Sequence, residues 1–176
     1  MYTGHGNRGM AFEMAINIVN DLYKGRGIAL INKRPTPVKV LKSRGTKITS
    51  GYYEEKSTVD YDGVYQGRAI VFEAKSTKRP NFPLSMITAH QIDYLDRAHR
   101  NGAIAFLLVE LAVKRRVYYM PYQLLAYYLM RAKKGSRKSV AQEELEQYGY
   151  VVERGRGVPF DYLAVVDKIN QNSEGV

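Results

Sequence analysis

A nearly unbroken apolar segment, Ala103 to Leu111, constrains the fold more than any other feature of the sequence. Its length and composition are typical of a β-strand that is buried on both faces, which requires helices above and below the sheet. Even when extended to Val113, the segment is far shorter than the roughly 20 apolar residues of a membrane-spanning helix. The segment therefore predicts a layered α/β domain.

Amphipathic patterns on either side of that strand supply the covering helices. Apolar residues recur at three- and four-residue steps over 8–23, and further helices are expected up to about Arg100 and after Pro121. Ser85 is the expected N-cap of the helix that ends near Arg100. A length of 176 residues favours a single domain, 1–176.

The charge balance narrows the class of partner. Lys and Arg number 27 against 17 Asp and Glu, for a formal net charge of +10 and a pI near 9.7. A chain this basic is typical of proteins that bind polyanions, of which nucleic acid is the commonest. The absence of Cys excludes a disulfide scaffold and a Cys-ligated zinc site, and the first residues lack the apolar stretch of a signal peptide. We therefore expect a soluble, cytoplasmic protein that contacts nucleic acid.

Residues 38–56 do not fit a core. They combine β-prone residues with basic ones and offer no wide hydrophobic face. We therefore expect this segment to project from the domain. Its basic side chains are Lys39, Lys42, Arg44 and Lys47.

The stretch 57–76 is typical of a β-hairpin. A turn at Gln66-Gly67 places Asp60 across from Glu73, and Thr58 across from Lys75. Because strand side chains alternate, these four polar residues share one face. The opposite face is then a core face formed by Val59, Tyr61, Ile70, Phe72 and Ala74.

The polar face of this hairpin is suited to metal-assisted chemistry. Two opposed carboxylates, Asp60 and Glu73, repel each other by roughly 0.2–1 kcal/mol even on an exposed sheet. A divalent cation between them removes the repulsion, and hard oxygen ligands suit Mg²⁺ or Mn²⁺ better than zinc. Lys75, one pleat along, can stabilise developing negative charge. This combination predicts hydrolysis of a phosphodiester by activated water.

Two alternatives remain open on spacing alone. A turn at Asp62-Gly63 competes with the one at Gln66-Gly67, and it leaves Glu73 without an opposing Asp. The Asp, Glu and Lys side chains also fit the ordinary solvent face of an amphipathic hairpin.

Several motifs resemble one family of nucleases. Asp60 followed by Glu73-Ala-Lys75 resembles the PD-(D/E)xK nuclease signature, and the wider set is similar to the RecU family of Holliday junction resolvases. The resemblance extends from about Asn7 to Ile169. The motifs that carry it are Asn7-Arg-Gly-Met10, Lys33-Arg-Pro-Thr-Pro37, Thr58-Val-Asp-Tyr-Asp-Gly-Val-Tyr65, Phe72-Glu-Ala-Lys75, Phe82-Pro-Leu84 and His90-Gln91.

The resemblance implies an architecture and an activity. It implies a restriction-endonuclease-like core, in which helices flank a mixed β-sheet and a stalk projects between the first two strands. It also implies a homodimer that uses Mg²⁺, with Mn²⁺ expected to substitute, to make paired cuts in four-way DNA junctions during recombination and repair. The family's stalk enters the open centre of the junction. Residues 36–54 match it in position, and we call them the stalk.

The resemblance assigns individual residues as well. The signature Lys, a transition-state stabiliser, falls on Lys75, and Glu13 matches an extra acidic residue that such nucleases often carry on the first helix. The metal ligands of the family fall on Thr58, Asp60, Glu73 and Gln91. We expect Tyr53 to stack on an unpaired base. The expected phosphate contacts are Arg8, Lys39, Lys42, Arg44 and Lys47.

Two other functions compete with this interpretation. One is a PD-(D/E)xK nuclease of another specificity, such as a sequence-specific enzyme. The basic stalk argues against it, because a projection fits DNA shape more readily than base edges. The other is a non-catalytic architectural DNA-binding protein with a vestigial acidic face. The full set of Thr58, Asp60, Glu73 and Lys75 argues against that one.

Overall fold

The computed structural model describes residues 6–53 and 58–174. Within these ranges, no helix is long and apolar enough to cross a membrane. A 3-10 turn covers Leu84–Met86. The α-helices are α1 (Gly6–Gly25), α2 (Ala89–Arg100), α3 (Tyr122–Lys133), α4 (Gln142–Tyr148) and α5 (Tyr162–Glu174).

The β-strands are distributed over one large sheet and two small ones. Their bounds are β1 (Leu30–Lys33), β2 (Val38–Arg44), β3 (Lys47–Tyr53), β4 (Tyr61–Tyr65), β5 (Arg68–Thr77), β6 (Asn81–Pro83), β7 (Ile104–Leu111), β8 (Arg116–Pro121), β9 (Ser139–Ala141) and β10 (Tyr150–Val151). The large sheet has the order β1-β4-β5-β7-β8-β10. β5 and β7 run parallel, with α2 in the connection between them, and the other neighbours are antiparallel. The predicted mixed sheet is confirmed.

Helices cover both faces of the large sheet. On one face, Phe12 and Ile16 of α1 join Phe72 and Phe106 in a buried cluster that also takes in α5. A second buried cluster on the other face includes side chains of α2 and α3. The strand predicted to be buried on both faces is β7, in which only Glu110 is half-buried. Flanking helices are therefore required by the apolar content of the central strands.

The β4–β5 hairpin has the predicted register. Tyr61 pairs with Phe72, and the turn at Gln66-Gly67 places both residues at positive φ, 49° and 74°. Such a turn matches the right-handed twist of the two strands. The competing turn at 62–63 is excluded because Gly63 lies within the ladder. A Cβ at Gly63 would meet the carbonyl oxygen of Leu30 at 2.1 Å, so the close approach of β1 requires glycine here.

Two details of the sequence prediction are wrong. Val59 packs in the cluster opposite that of Tyr61, because β4 begins at Tyr61 and strand alternation does not extend to the residues before it. Thr88, not Ser85, is the N-cap of α2, because its side chain accepts a hydrogen bond from the backbone N–H of Gln91. Ser85 lies instead in the short 3-10 turn Leu84–Met86 that precedes the helix.

The stalk segment forms a sheet of its own. β2 and β3 pair only with each other and are inserted in sequence between β1 and β4 of the large sheet. Every residue of β2 is exposed. Val40, Leu41 and Ile48 are large apolar residues left exposed on this hairpin. The projection expected between the first two core strands is thus a separate two-stranded ribbon.

Candidate active site

Glu73 is the most deeply buried charged residue of the candidate site. It lies in the middle of β5, between two core strands, and its exposed fraction is 0%. Burial first, and the nearby Asp60 carboxylate second, raise the pKa of Glu73 to about 8, while Lys75 acts in the opposite direction. The charged form of a carboxyl group in such an environment is unfavourable unless a positive charge lies nearby.

Asp60 is held beside Glu73 by reciprocal hydrogen bonds. The backbone N–H of Asp60 donates to Glu73 Oε2 at 3.1 Å, and Asp60 Oδ2 accepts from the backbone N–H of Ala74 at 3.1 Å. Each carboxylate therefore bonds the chain segment that carries the other. The two acidic side chains come together as predicted, although Asp60 precedes β4 instead of lying within it.

Lys75 and Gln91 converge on the same oxygen of Glu73. Lys75 Nζ forms an ion pair with Glu73 Oε1, and 20% of the Lys75 side chain is exposed. Gln91, buried on α2, donates from Nε2 to Glu73 Oε1 at 2.6 Å. These donors stabilise the charged form of the buried carboxylate.

Gln91 also takes part in the start of α2. Its Oε1 accepts from the backbone N–H of Thr88 at 3.0 Å, which completes a capping box with the Thr88 side chain. The amide nitrogen of Gln91, not its oxygen, therefore faces Glu73. For the oxygen to bind a cation, the amide must turn over and give up the bond from Thr88.

Thr58 lies at the edge of the site. It is half-buried and lines a cleft of about 700 Å³ along α2, together with His90, Asp93, Tyr94 and Arg97. Its Oγ1 accepts a hydrogen bond from Arg34 Nη1 at 2.8 Å. The cleft gives an extended ligand access to the neighbourhood of the carboxylates.

Sequence reasoning missed Arg34 as a member of this site. Beyond its bond to Thr58, Arg34 lies over the Tyr94 ring, 5.2 Å from the centroid, and its Nε is 3.5 Å from Asp62 Oδ2. The only signal in the sequence was its place in the motif Lys33-Arg-Pro-Thr-Pro37, because spacing alone does not bring residues 34 and 58 together.

Glu13 lies on α1 next to the first core strand. Its carboxylate forms an ion pair with Lys33 of β1, and its backbone carbonyl accepts a hydrogen bond from the Tyr61 hydroxyl at 3.1 Å. Among the described residues, no hydrogen bond or ion pair joins Glu13 to the Glu73 carboxylate. The match of Glu13 to the extra acidic residue of such nucleases stays a prediction.

The oxygen donors of the site fit a hard divalent cation. Among residues 6–53 and 58–174, no three His, Asp or Glu side chains form a metal-binding group. A cation here would therefore have two carboxylates, from Asp60 and Glu73, with neutral oxygens or water completing its shell. Mg²⁺ is commonly held by one or two carboxylates together with water and substrate phosphate. Burial first, and repulsion from Asp60 second, raise the pKa of Glu73, and a bound cation would offset both.

The candidate DNA contacts are concentrated on the stalk. Lys39, Lys42 and Arg44 of β2 and Lys47 of β3 are all exposed. Arg8 lies in α1 and Tyr53 ends β3, but their side chains are outside the described part of the structure.

Comparisons with known proteins find one family. The model of the family described as "Recombination protein U" (RecU) matches residues 7–168. The Holliday junction resolvase RecU of Geobacillus sp. (strain WCH70) is 37% identical over 171 residues, which span 94% of this chain and 85% of the relative. The Holliday junction resolvase RecU of Lactococcus lactis subsp. lactis (strain IL1403) is 38% identical over 172 residues, which span 93% of this chain and 79% of the relative. Among solved structures, Archaeoglobus fulgidus Hjc, a Holliday junction resolvase, has a TM-score of 0.46 at 13% identity and covers 77% of this chain and 94% of that one.

Proposed function

This chain belongs to the Recombination protein U family, and on that premise we propose that it is a Holliday junction resolvase. The activity is that of an Mg²⁺-dependent endodeoxyribonuclease that cuts four-way junctions in pairs, in the cytoplasm, during homologous recombination and repair. The observation that carries the proposal is the pairing of Asp60 with the buried Glu73, each bonded to the other's chain segment, with Lys75 alongside. A buried carboxylate held next to a second carboxylate and a lysine is typical of catalytic sites.

The two carboxylates hold the cation. Asp60 and Glu73 are fixed by backbone amides, so their oxygens are oriented before a ligand arrives. Thr58, and Gln91 once its side-chain amide has turned over, would contribute neutral oxygens at the edge of the set. When bound, Mg²⁺ supplies Lewis acidity that activates water and offsets the charge of the scissile phosphate. Mn²⁺ takes the same ligands and is expected to substitute.

Lys75 stabilises the charge that develops on the phosphate oxygens during cleavage. Its ammonium group is fixed by Glu73, and 20% of the side chain remains exposed to an approaching substrate. A charge held in place in this way acts at the transition state without reorganisation. Water is the nucleophile, because the site pairs none of its hydroxyl groups with a general base.

The stalk provides the preference for junctions. Its four basic side chains are exposed on a ribbon that stands apart from the large sheet, which suits insertion into the open centre of a four-way junction. Arg8 and Tyr53 extend the proposed DNA contacts. A four-way junction has approximate two-fold symmetry, so a two-fold homodimer supplies one site for each of two cuts.

The test is cleavage of a labelled four-way junction next to a linear duplex of the same sequence, with and without Mg²⁺, and with Glu73→Ala as control. The proposal expects symmetric, Mg²⁺-dependent cuts in the junction alone, and none by Glu73→Ala. Equal cutting of both substrates indicates a nuclease of another specificity. Tight binding of the junction without cleavage indicates an architectural protein.

A further inference from the structure

The segment that carries Thr58 and Asp60 is held from three directions, and Val59, between the two, is fully buried in the second core cluster. It precedes β4, and the hydrogen bond from the backbone N–H of Arg34 to the carbonyl oxygen of Asp60 continues the register of β1 and β4 by one residue. Glu73 and Ala74 of β5 hold Asp60 from one side. Among the described residues, the side chain of Thr58 is bonded by Arg34.

Arg34 supplies the remaining contacts from the other side. Its backbone N–H donates to the carbonyl oxygen of Asp60 at 2.8 Å, and its guanidinium Nη1 donates to Thr58 Oγ1 at 2.8 Å. One residue thus bonds both the backbone and a side chain of the same three-residue segment. A planar guanidinium can make such directed contacts because its donors form a rigid fork.

Arg34 is itself anchored on two further sides. The guanidinium lies over the Tyr94 ring of α2 and next to the Asp62 carboxylate of β4. Its side chain is 34% exposed, so much of it is enclosed between β1, β4 and α2. Only Pro35 to Pro37 separate it from the first strand of the stalk.

We propose that Arg34 is a positioning residue, whose side chain holds Thr58, next to Asp60, in the arrangement that binds the divalent cation. This inference rests on the proposed nuclease function and adds a residue to its site. Residues that orient metal ligands through hydrogen bonds commonly change metal affinity or activity by about 10- to 100-fold when they are replaced. Arg34 is not proposed to touch the cation.

The direction in which cation affinity changes when Arg34 is replaced distinguishes positioning from a simple effect of charge. Removal of a positive charge next to a cation site favours cation binding, so charge alone predicts tighter binding when Arg34 is replaced by a neutral residue. Loss of positioning predicts weaker binding. A third role, direct contact with DNA phosphate, predicts weaker junction binding and no change in cation affinity.

The experiment measures Mn²⁺ binding to the full chain without DNA, by the electron paramagnetic resonance signal of free Mn²⁺. The variants are Arg34→Gln, Thr58→Val and the double variant, with a thermal melt of each. Arg26→Gln is the matched control, since Arg26 bonds the carbonyl oxygens of Arg156 and Gly157 instead of the site. If Arg34→Gln does not fold, Arg34→Lys takes its place, because it keeps the charge but lacks the fork.

The expected result is a Kd for Mn²⁺ that rises about tenfold in Arg34→Gln and stays within twofold of wild type in Arg26→Gln. The double variant should be no weaker than the weaker single variant, because both remove the same bond. Junction cleavage by Arg34→Gln should recover as Mg²⁺ is raised, with an unchanged KM for the junction.

Three results would overturn the inference. Unchanged or tighter Mn²⁺ binding by Arg34→Gln removes the positioning role while leaving the proposed function intact. Independent, multiplicative effects of the two single variants show that Arg34 does not act through Thr58. Absence of Mn²⁺ binding by the wild type overturns the inference and the proposed cation site together.

Discussion

The two hairpins of this chain, β2–β3 and β4–β5, differ in almost everything except their antiparallel pairing. β4–β5 has a continuous register, lies between β1 and β7, and is covered on both faces. β2–β3 has shifts in register, pairs with no other strand, and exposes every residue of β2. A two-stranded ribbon alone is only marginally stable in water, whereas a hairpin within a six-stranded sheet is fixed by its neighbours.

The difference separates two tasks. The buried hairpin carries Glu73 and Lys75, whose positions must be held closely for chemistry. The exposed hairpin carries four basic residues, whose contacts with phosphates tolerate movement. On this account, changes in β4–β5 affect the rate of cleavage or the stability of the fold, and changes in β2–β3 affect binding of DNA.

The largest effect is expected from Glu73→Gln in the buried hairpin. Because the cation loses one of two carboxylates, cleavage of a four-way junction should fall about 10³-fold or more. The affinity for the junction should stay within about twofold, and the melting temperature should fall modestly, because the amide nitrogen of Gln faces a hydrogen-bond donor where a carboxylate oxygen now accepts. Single-turnover cleavage, gel-shift binding and a thermal melt measure the three quantities.

Glu110→Gln is the matched control for that prediction. Glu110 is on the neighbouring strand and bonds Ser76, whose side chain points to the opposite face of β5 from that of Glu73. An equal loss of cleavage in both variants would mean that the effect comes from the sheet and not from the proposed site.

Lys75→Met should slow cleavage about 10²-fold at saturating Mg²⁺. Loss of the ammonium group removes stabilisation of the transition state, but it removes no cation ligand, so the Mg²⁺ concentration for half-maximal rate should not increase. Titration of the single-turnover rate with Mg²⁺ measures both quantities. Lys78→Met, an exposed change just beyond β5, serves as control. If Lys75→Met requires much more Mg²⁺, Lys75 acts on the cation site and not on the phosphate.

The double variant Lys39→Gln/Lys42→Gln tests the exposed hairpin. Junction affinity should fall about tenfold, and the slope of log affinity against log salt should become shallower by about 2. The rate of cleavage at saturating protein should stay within about twofold. Lys114→Gln/Arg115→Gln removes two exposed charges from the β7–β8 turn and should leave the slope unchanged. Equal slopes for the two double variants would remove the stalk from the interface.

The smallest effect, on the free energy of unfolding, is expected when the same substitution, Ile to Val, is made in each hairpin. Ile70→Val in β5 removes a buried methylene group and should lower the free energy of unfolding by about 1 kcal/mol. Ile48→Val in β3, where the side chain is 51% exposed, should change it by less than about 0.5 kcal/mol. Denaturant unfolding of the two variants measures the difference. A larger effect at Ile48 would show that the stalk is buried against a partner in solution.

The features that follow from local pattern were predictable from the sequence. The alternation over β4 and β5 and the turn at Gln66-Gly67 set the register that brings Asp60, just before β4, next to Glu73. The apolar content of β7 was enough to require a sheet covered on both faces. In each case the signal lies within about 20 consecutive residues.

The features that depend on contacts distant in sequence were not predictable in the same way. Arg34 bonds Thr58 across 24 positions, and the packing of Val59 depends on where β4 begins. The cap of α2 is an exception, because Thr88 and Gln91 have the spacing of a capping box and could have been preferred to Ser85.

The most direct test of the central claim uses a supercoiled plasmid that extrudes an inverted repeat as a cruciform. Two cuts across the junction within one encounter convert the plasmid into a linear molecule, whereas independent cuts leave nicked circles. We predict linear product with Mg²⁺, none by Glu73→Gln, and none from the same plasmid after relaxation, which removes the cruciform. Nicked circles as the sole product, or equal cutting of the relaxed plasmid, would contradict a paired, junction-selective nuclease.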